Sequence, residues 1–186
     1  HRDPGGIDTK AFFAAAVQTP ELWPGWSAYP GRDKVGGGKG KDHPNNLLIK
    51  AALVAHGHHL KFGPEVGAKW DAAAASNLED FQKERELEES GVGAKTWKAL
   101  GTMPTESPDF PGTDKFDPGK ATLQSLVGQS LMVLQGFSRP FRGTLTKKWD
   151  DPARKALRRF QLSEPRLRGD ADGEWGPASW VLAWTD

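Results

Sequence analysis

Cysteine is absent from all 186 residues. That excludes a disulfide framework and any thiolate metal site, and it leaves secretion open. No run of about 18 apolar residues occurs, so no segment is long enough to span a bilayer as a helix. The chain starts with His rather than Met and carries no signal-peptide pattern, so it reads as a fragment. A net charge of one sign is also missing: the formal balance is +1. That balance hides an asymmetry. Residues 79–89 (EDFQKERELEE) are acidic, whereas 139–168 hold Arg139, Arg142, Lys147, Lys148, Arg154, Lys155, Arg158, Arg159, Arg166 and Arg168 against Asp150, Asp151 and Glu164. Such a basic face favours an anionic polymer, nucleic acid or cell-wall material, or else is simply a solvated helix face.

What the chain has is aromatic residues and a repeat. Eight Trp and nine Phe suffice for compact cores, and at this length the choice is one ordinary domain or two small ones. A shift of 79 aligns residues 47–82 with 126–161 without a gap, pairing Lys69-Trp70-Asp71 with Lys148-Trp149-Asp150 and Phe81-Gln82 with Phe160-Gln161. Beyond Gln82 the shift becomes 83, pairing Gly93 with Gly176, Thr96 with Ser179 and Trp97 with Trp180. Upstream, Trp-Pro-Gly at 23–25 matches Phe-Pro-Gly at 110–112. The chain is an internal duplication.

Each copy reads as three helices. Leu123, Leu126, Val127, Leu131 and Leu134 recur at helical spacing before Gly136, as do Leu47, Leu48, Ala51, Ala52 and Ala55 before Gly57. Asp71 and Asp150 are good N-caps for the next helix, because a carboxylate there accepts free first-turn N–H groups. Ala74, Leu78 and Phe81, like Ala153, Leu157 and Phe160, then share a buried face. A short last helix starts near Gly93 or Gly176 and carries Trp97 or Trp180. The expected fold is all-α: two tandem three-helix bundles. The expected divisions are an N-terminal segment 1–20, a first repeat 21–100, a linker 101–109 (GTMPTESPD) and a second repeat 110–186. Residues 35–41 (VGGGKGK) read as a flexible loop, since the spacing is wrong for a phosphate loop.

The unit Asp-x9-Phe-Gln, a Gly-containing turn and Gly-x2-Thr/Ser-Trp resembles the peptidoglycan-binding (PGBD-like) module family. The second copy fits better: WDDPARKALRRFQ is followed by RGDADGEWGPASW, with Asp172-Gly173 as the family's turn. The first copy has Glu89-Ser90 there. The lead-in FPGTDKFDPG is similar to that in wall hydrolases of high-GC Gram-positive bacteria and their phages. The opening HRDPGGIDTKAFFAAAV resembles the end of type-2 zinc N-acetylmuramoyl-L-alanine amidases. That resemblance implies Asp3 as the last zinc ligand, with two histidine ligands upstream; otherwise the segment is a linker after an affinity tag. Zinc hydrolysis needs about three protein ligands and a water, so the fragment is not expected to be an enzyme or to hold a cofactor, and zinc belongs to the upstream amidase domain.

The resemblance implies a wall-binding region that targets a peptidoglycan hydrolase, such as a phage endolysin, to the bacterial cell wall. The expected partner is peptidoglycan or an attached polymer, and a monomer is expected. Candidate ligand residues are Trp70, Gln82, Trp97, Trp149, Gln161, Arg168, Asp172, Trp175 and Trp180, since indole faces stack on sugars and amides or acids fix hydroxyls. Against ligand contact stands packing for Trp70, Trp149, Trp97 and Trp180, and loop-tying for Gln82 and Gln161. Asp172 either binds ligand or caps the last helix. Trp175, in a Gly-rich turn, is the best candidate for an exposed contact. His56, His58 and His59 have no histidine counterparts in the second copy, so a solvated helix end is favoured over zinc. Glu84, Glu86, Glu88 and Glu89 cluster on one charged segment, unlike a glycosidase pair across a cleft. The alternative function is nucleic-acid binding through Arg154, Lys155, Arg158 and Arg159.

Overall fold

The computed structural model describes residues 21–88 and 91–185. The described residues are mostly helical. Six α-helices run α1 Asn45–Ala55, α2 Ala72–Glu84, α3 Ala94–Gly101, α4 Leu123–Leu134, α5 Asp151–Ser163 and α6 Pro177–Thr185, with two short strands, β1 Glu65–Gly67 and β2 Thr144–Thr146. Elements of the two copies therefore recur in the same order.

Local chemistry explains the helix starts. Asp71 Oδ1 accepts the Ala74 N–H at 2.7 Å and Asp150 Oδ1 the Ala153 N–H at 3.2 Å, which is side-chain N-capping of α2 and α5. Thr122 caps α4 in the same way, through the Ser125 N–H. Ala74, Leu78 and Phe81, with Ala153, Leu157 and Phe160, are all buried, as their spacing predicts.

The strands are the departure from an all-α reading. β1 and β2 come from different copies and pair antiparallel, Glu65 with Thr146, Val66 with Leu145 and Gly67 with Thr144. Val66 and Leu145 are equivalent positions, and the outer two pairs exchange when the copies are exchanged, so the ladder has a local two-fold relation. Lys147 extends it by donating its N–H to the Pro64 carbonyl at 3.2 Å. Helices α1 and α4, also equivalent, pack along each other more extensively than any other pair of elements. This explains why Ile49, Leu53, Leu131 and Met132 are fully buried: each of these helices has one side on its own copy and another on its partner. A helix that is apolar most of the way round needs this second neighbour.

Other segments bind the copies together. The Gly25 N–H donates to the Leu134 carbonyl at 2.7 Å, and a Cβ on Gly25 would lie 2.6 Å from that oxygen, so only glycine permits the approach. Trp23 packs on Trp184 with ring centroids 6.0 Å apart. One contiguous apolar core results.

Two expectations about loops change. Gly101, the first residue of the expected linker, ends α3 against the Trp26 indole. Thr102 then pairs with Leu22, and the Pro108 carbonyl accepts the Trp180 indole N–H at 2.9 Å. The 35–41 loop is not free either. The buried Asn46 side chain accepts the Gly36 N–H and donates to the Gly40 and Lys41 carbonyls at 2.8–3.0 Å, which closes the loop around Val35.

Candidate functional site

The motif residues of each copy converge on one turn. In the second copy Gln161, at the end of α5, accepts the Gly173 N–H through Oε1 at 2.8 Å and donates from Nε2 to the Glu174 carbonyl at 2.9 Å. Gly173 has φ +81°, and a Cβ there would lie 2.7 Å from the Arg154 carbonyl oxygen, so both conformation and space demand glycine. Asp172 Oδ1 accepts the Glu174 N–H at 2.8 Å, an Asx turn. It therefore caps this turn; the last helix is served by Ser179, whose hydroxyl accepts the Gly176 N–H at 3.0 Å. In the first copy Gln82 Nε2 donates to the Gly91 carbonyl and to Thr96 Oγ1. Gly91 is the counterpart of Glu174, so both glutamines tie down the same carbonyl. Glu89 and Ser90 lie outside the described residues, as does Asp3.

Four of the five candidate tryptophans are buried. Trp149, Trp175, Trp180 and Trp97 are 1–3% exposed, and the indole N–H groups of Trp97 and Trp180 are spent on the Ser27 and Pro108 carbonyls. The expectation that Trp175 is an exposed contact is corrected. Its ring packs 5.9 Å from Trp149 and 5.3 Å from Trp180, over Gly128 of α4. A Cβ on Gly128 would lie 2.7 Å from Trp175 Nε1. In the first copy the counterparts are Val92 and Ile49, both buried. The two copies fill one space with opposite large–small choices, and the signal that buries Trp175 is a glycine in a distant helix. Trp70 is half-buried beside Gly37. Of the candidates, Arg168 and Asp172 alone are fully solvent-facing.

The histidines are not a solvated helix end. His56 Nε2 donates to the Leu100 carbonyl at 3.1 Å. Burial lowers its pKa to about 4, the Leu100 carbonyl opposing the shift and the nearby Arg85 charge adding to it. Its counterpart Gln135 donates to the carbonyl of Ala183, the counterpart of Leu100, at 3.0 Å. Burial also lowers His59, and His58 packs edge-on to Phe81 at 5.4 Å with its Nε2 3.1 Å from Glu84. Among the described residues no three His, Asp or Glu side chains gather as metal ligands.

A concavity the motif reading passed over lies between the 139–142 turn and α5. It encloses about 370 Å³ and is lined by Arg139, Pro140, Phe141, Arg142, Pro152, Lys155 and Arg159. All four cations are solvent-exposed, and among the described residues none pairs with an acid; the neighbouring Arg154 is paired with Glu174. A second hollow of similar size, between His56, Arg85 and residues 102–106, mixes one base with one acid and has no such bias.

Comparison with protein-family models, curated proteins and solved structures returned no match.

Proposed function

We propose that this chain is a wall-binding region built from two PGBD-like three-helix units, and that it holds a peptidoglycan hydrolase on its insoluble substrate. One observation carries the reading. Of the residues of the resemblance, Gln161, Asp172 and Gly173 meet in one hydrogen-bonded turn while Phe160 and Trp180 are buried in the core, and the first copy repeats the turn's central bond through Gln82. A duplicated scaffold with a rigid, partly polar turn suits a shallow site for sugar hydroxyls or stem-peptide groups. With Trp149, Trp175 and Trp180 buried, Asp172 of that turn and Arg168 just before it, whose Nε donates to the Leu162 carbonyl at 3.2 Å, are the exposed candidates that remain to meet a ligand. The hydrolase, with Asp3 as a zinc ligand at its end, would lie upstream, and the site of action would be the bacterial cell wall. Binding there makes each catalytic encounter local. Two such units raise affinity by ~10²–10⁴ if both engage one network.

The test is co-sedimentation with purified peptidoglycan freed of attached polymers, at low and high salt. The unaltered chain is expected to pellet at both, and Arg168→Ala combined with Asp172→Asn, which keeps the turn's acceptor oxygen, to weaken pelleting about 10-fold, the loss of one charge-assisted contact. A chain that stays in the supernatant with stripped and intact walls alike sinks the proposal. Nucleic acid is the second reading, favoured by the exposed Lys155, Arg158 and Arg159 on α5; it requires duplex binding that falls steeply with salt.

A further inference from the structure

We propose that Arg139, Arg142, Lys155 and Arg159 form a binding site for a phosphate ester carried on a carbohydrate. The proposal rests on the wall-binding reading only for the source of that ligand. Four exposed cations around one hollow repel each other, and no acid is among the residues that line it. Three of the four are arginines, whose planar forks match phosphate oxygens two at a time. The rest of the lining is apolar: the half-buried Pro140 and Pro152, with the largely buried Phe141 behind them, suit the C–H face of a sugar. At about 370 Å³ the hollow is near the lower end of small-ligand sites, enough for one phosphosugar.

The first copy is an internal control. At the matching positions it has Leu60, Lys61, Gly63, Ala73, Ser76 and Asp80. There Lys61 donates to Asp80 at 2.9 Å and to Ser76 at 2.6 Å, and the place is neutralised from within. On the equivalent scaffold the second copy has four bases and no acid. Backbone conformation gives an independent sign. Arg142 sits at φ +50°, ψ +32°, in the left-handed region that a bulky side chain occupies at a cost of about 1 kcal/mol. Among the described residues no hydrogen bond or ion pair of its side chain offsets that cost. Strain of this kind clusters at ligand clamps and active sites, although Glu86 shares it at φ +53°.

The layout favours a phosphosugar over a duplex. Nucleic acid is gripped along a stripe of several phosphates, whereas four of the exposed cations of this half ring one concavity, with Arg158 and Lys148 outside its lining. Arg154 on the same helix is neutralised by Glu174, and the first copy presents the acidic 79–89 segment.

The experiment uses the full chain and a triple variant carrying the first copy's residues, Arg142→Gly, Lys155→Ser and Arg159→Asp. A second triple, Lys39→Ser, Lys95→Asp and Lys98→Ser, changes net charge equally at exposed sites elsewhere. Circular dichroism checks that both fold. Each is titrated with N-acetylglucosamine 6-phosphate, inorganic phosphate and N-acetylglucosamine, then pelleted with walls before and after phosphodiester removal by hydrofluoric acid, and finally offered duplex DNA. The expected result is at least ~10-fold weaker binding of the cluster variant to the sugar phosphate and to phosphate-bearing walls. Acid-stripped walls should erase the difference, and the control should match the unaltered chain. Equal binding by the cluster variant overturns the proposal, as does an equal loss in the control, which would make the effect one of net charge. DNA binding that needs the cluster and exceeds sugar-phosphate binding overturns it in favour of nucleic acid. Sugar-phosphate binding by a chain that ignores every wall preparation supports the site and overturns the wall-binding reading alone.

Discussion

His56 and Gln135 hold the same place in the two copies and bond equivalent carbonyls, but only one of them titrates. Burial keeps His56 neutral down to about pH 4, while in the unfolded chain it gains a proton near 6.5. Its contribution is thus complete above about pH 6.5 and is lost as pH falls from there toward 4, because the unfolded state binds the extra proton first. The loss is of order 3 kcal/mol. Urea denaturation at pH 7 and pH 4.5 should show His56→Gln close to the unaltered chain at neutral pH and less weakened by acid. An unchanged acid response would refute this account. Lys50 and Gln129 are a second such pair. The Lys50 ammonium, 1% exposed, donates to the Lys69 carbonyl at 2.7 Å and to Asp71 at 2.8 Å; Gln129 donates to the equivalent carbonyl of Lys148 at 2.6 Å. Desolvation pushes the Asp71 carboxyl up, but the Lys50 ammonium and the Ala74 N–H outweigh it and hold it below the ordinary carboxylate range. Lys50→Gln should therefore cost under about 1 kcal/mol, whereas Lys50→Met, which takes the ammonium donor from the Lys69 carbonyl and from Asp71 Oδ2, should cost about 1–3 kcal/mol. Equal midpoints for the two in urea would contradict the pairing. None of these roles was legible from one copy alone, since a lone buried Lys or His has no sequence signature. Aligning the copies exposes the substitution, yet only packing says that Lys and Gln reach the same oxygen.

At the scale of elements, the readable features were those with local causes. The starts of α2 and α5 follow from Asp71 and Asp150, and their buried faces from the spacing of Ala74, Leu78 and Phe81 and its copy. The strands were not readable, because Glu-Val-Gly and Thr-Leu-Thr are too short to display a two-residue period. Nor was the burial of Trp175, which depends on Gly128 across the core. That dependence is testable by a double-mutant cycle. Gly128→Ile overfills the space and should cost about 1–3 kcal/mol, and Trp175→Val empties it at about 3 kcal/mol or more. Together they reproduce the first copy's Ile49 and Val92, and the pair should recover at least ~1 kcal/mol relative to the sum. Strict additivity in denaturation would show that the two residues do not share a cavity. The site was partly legible in the same sense. Gln161, Asp172 and Gly173 do meet, but as the structure of a turn, while the basic hollow needed the 139–142 turn to be brought against α5.

For the whole molecule, the continuous core and the β1–β2 ladder make the two copies one folding unit. Unfolding followed by tryptophan fluorescence and by far-ultraviolet circular dichroism should give coincident single transitions; two resolved transitions would mean that the halves melt separately. The ladder carries one more implication. Val66 faces Leu145 at equivalent positions, and α1 faces α4, which is how two identical subunits meet in an isologous homodimer. At this seam the chain has the geometry of an isologous dimer with its protomers covalently joined, one with a self-neutralised surface and the other with a basic one. A single copy expressed alone would bare that self-complementary face and find its missing neighbour in a second molecule of itself.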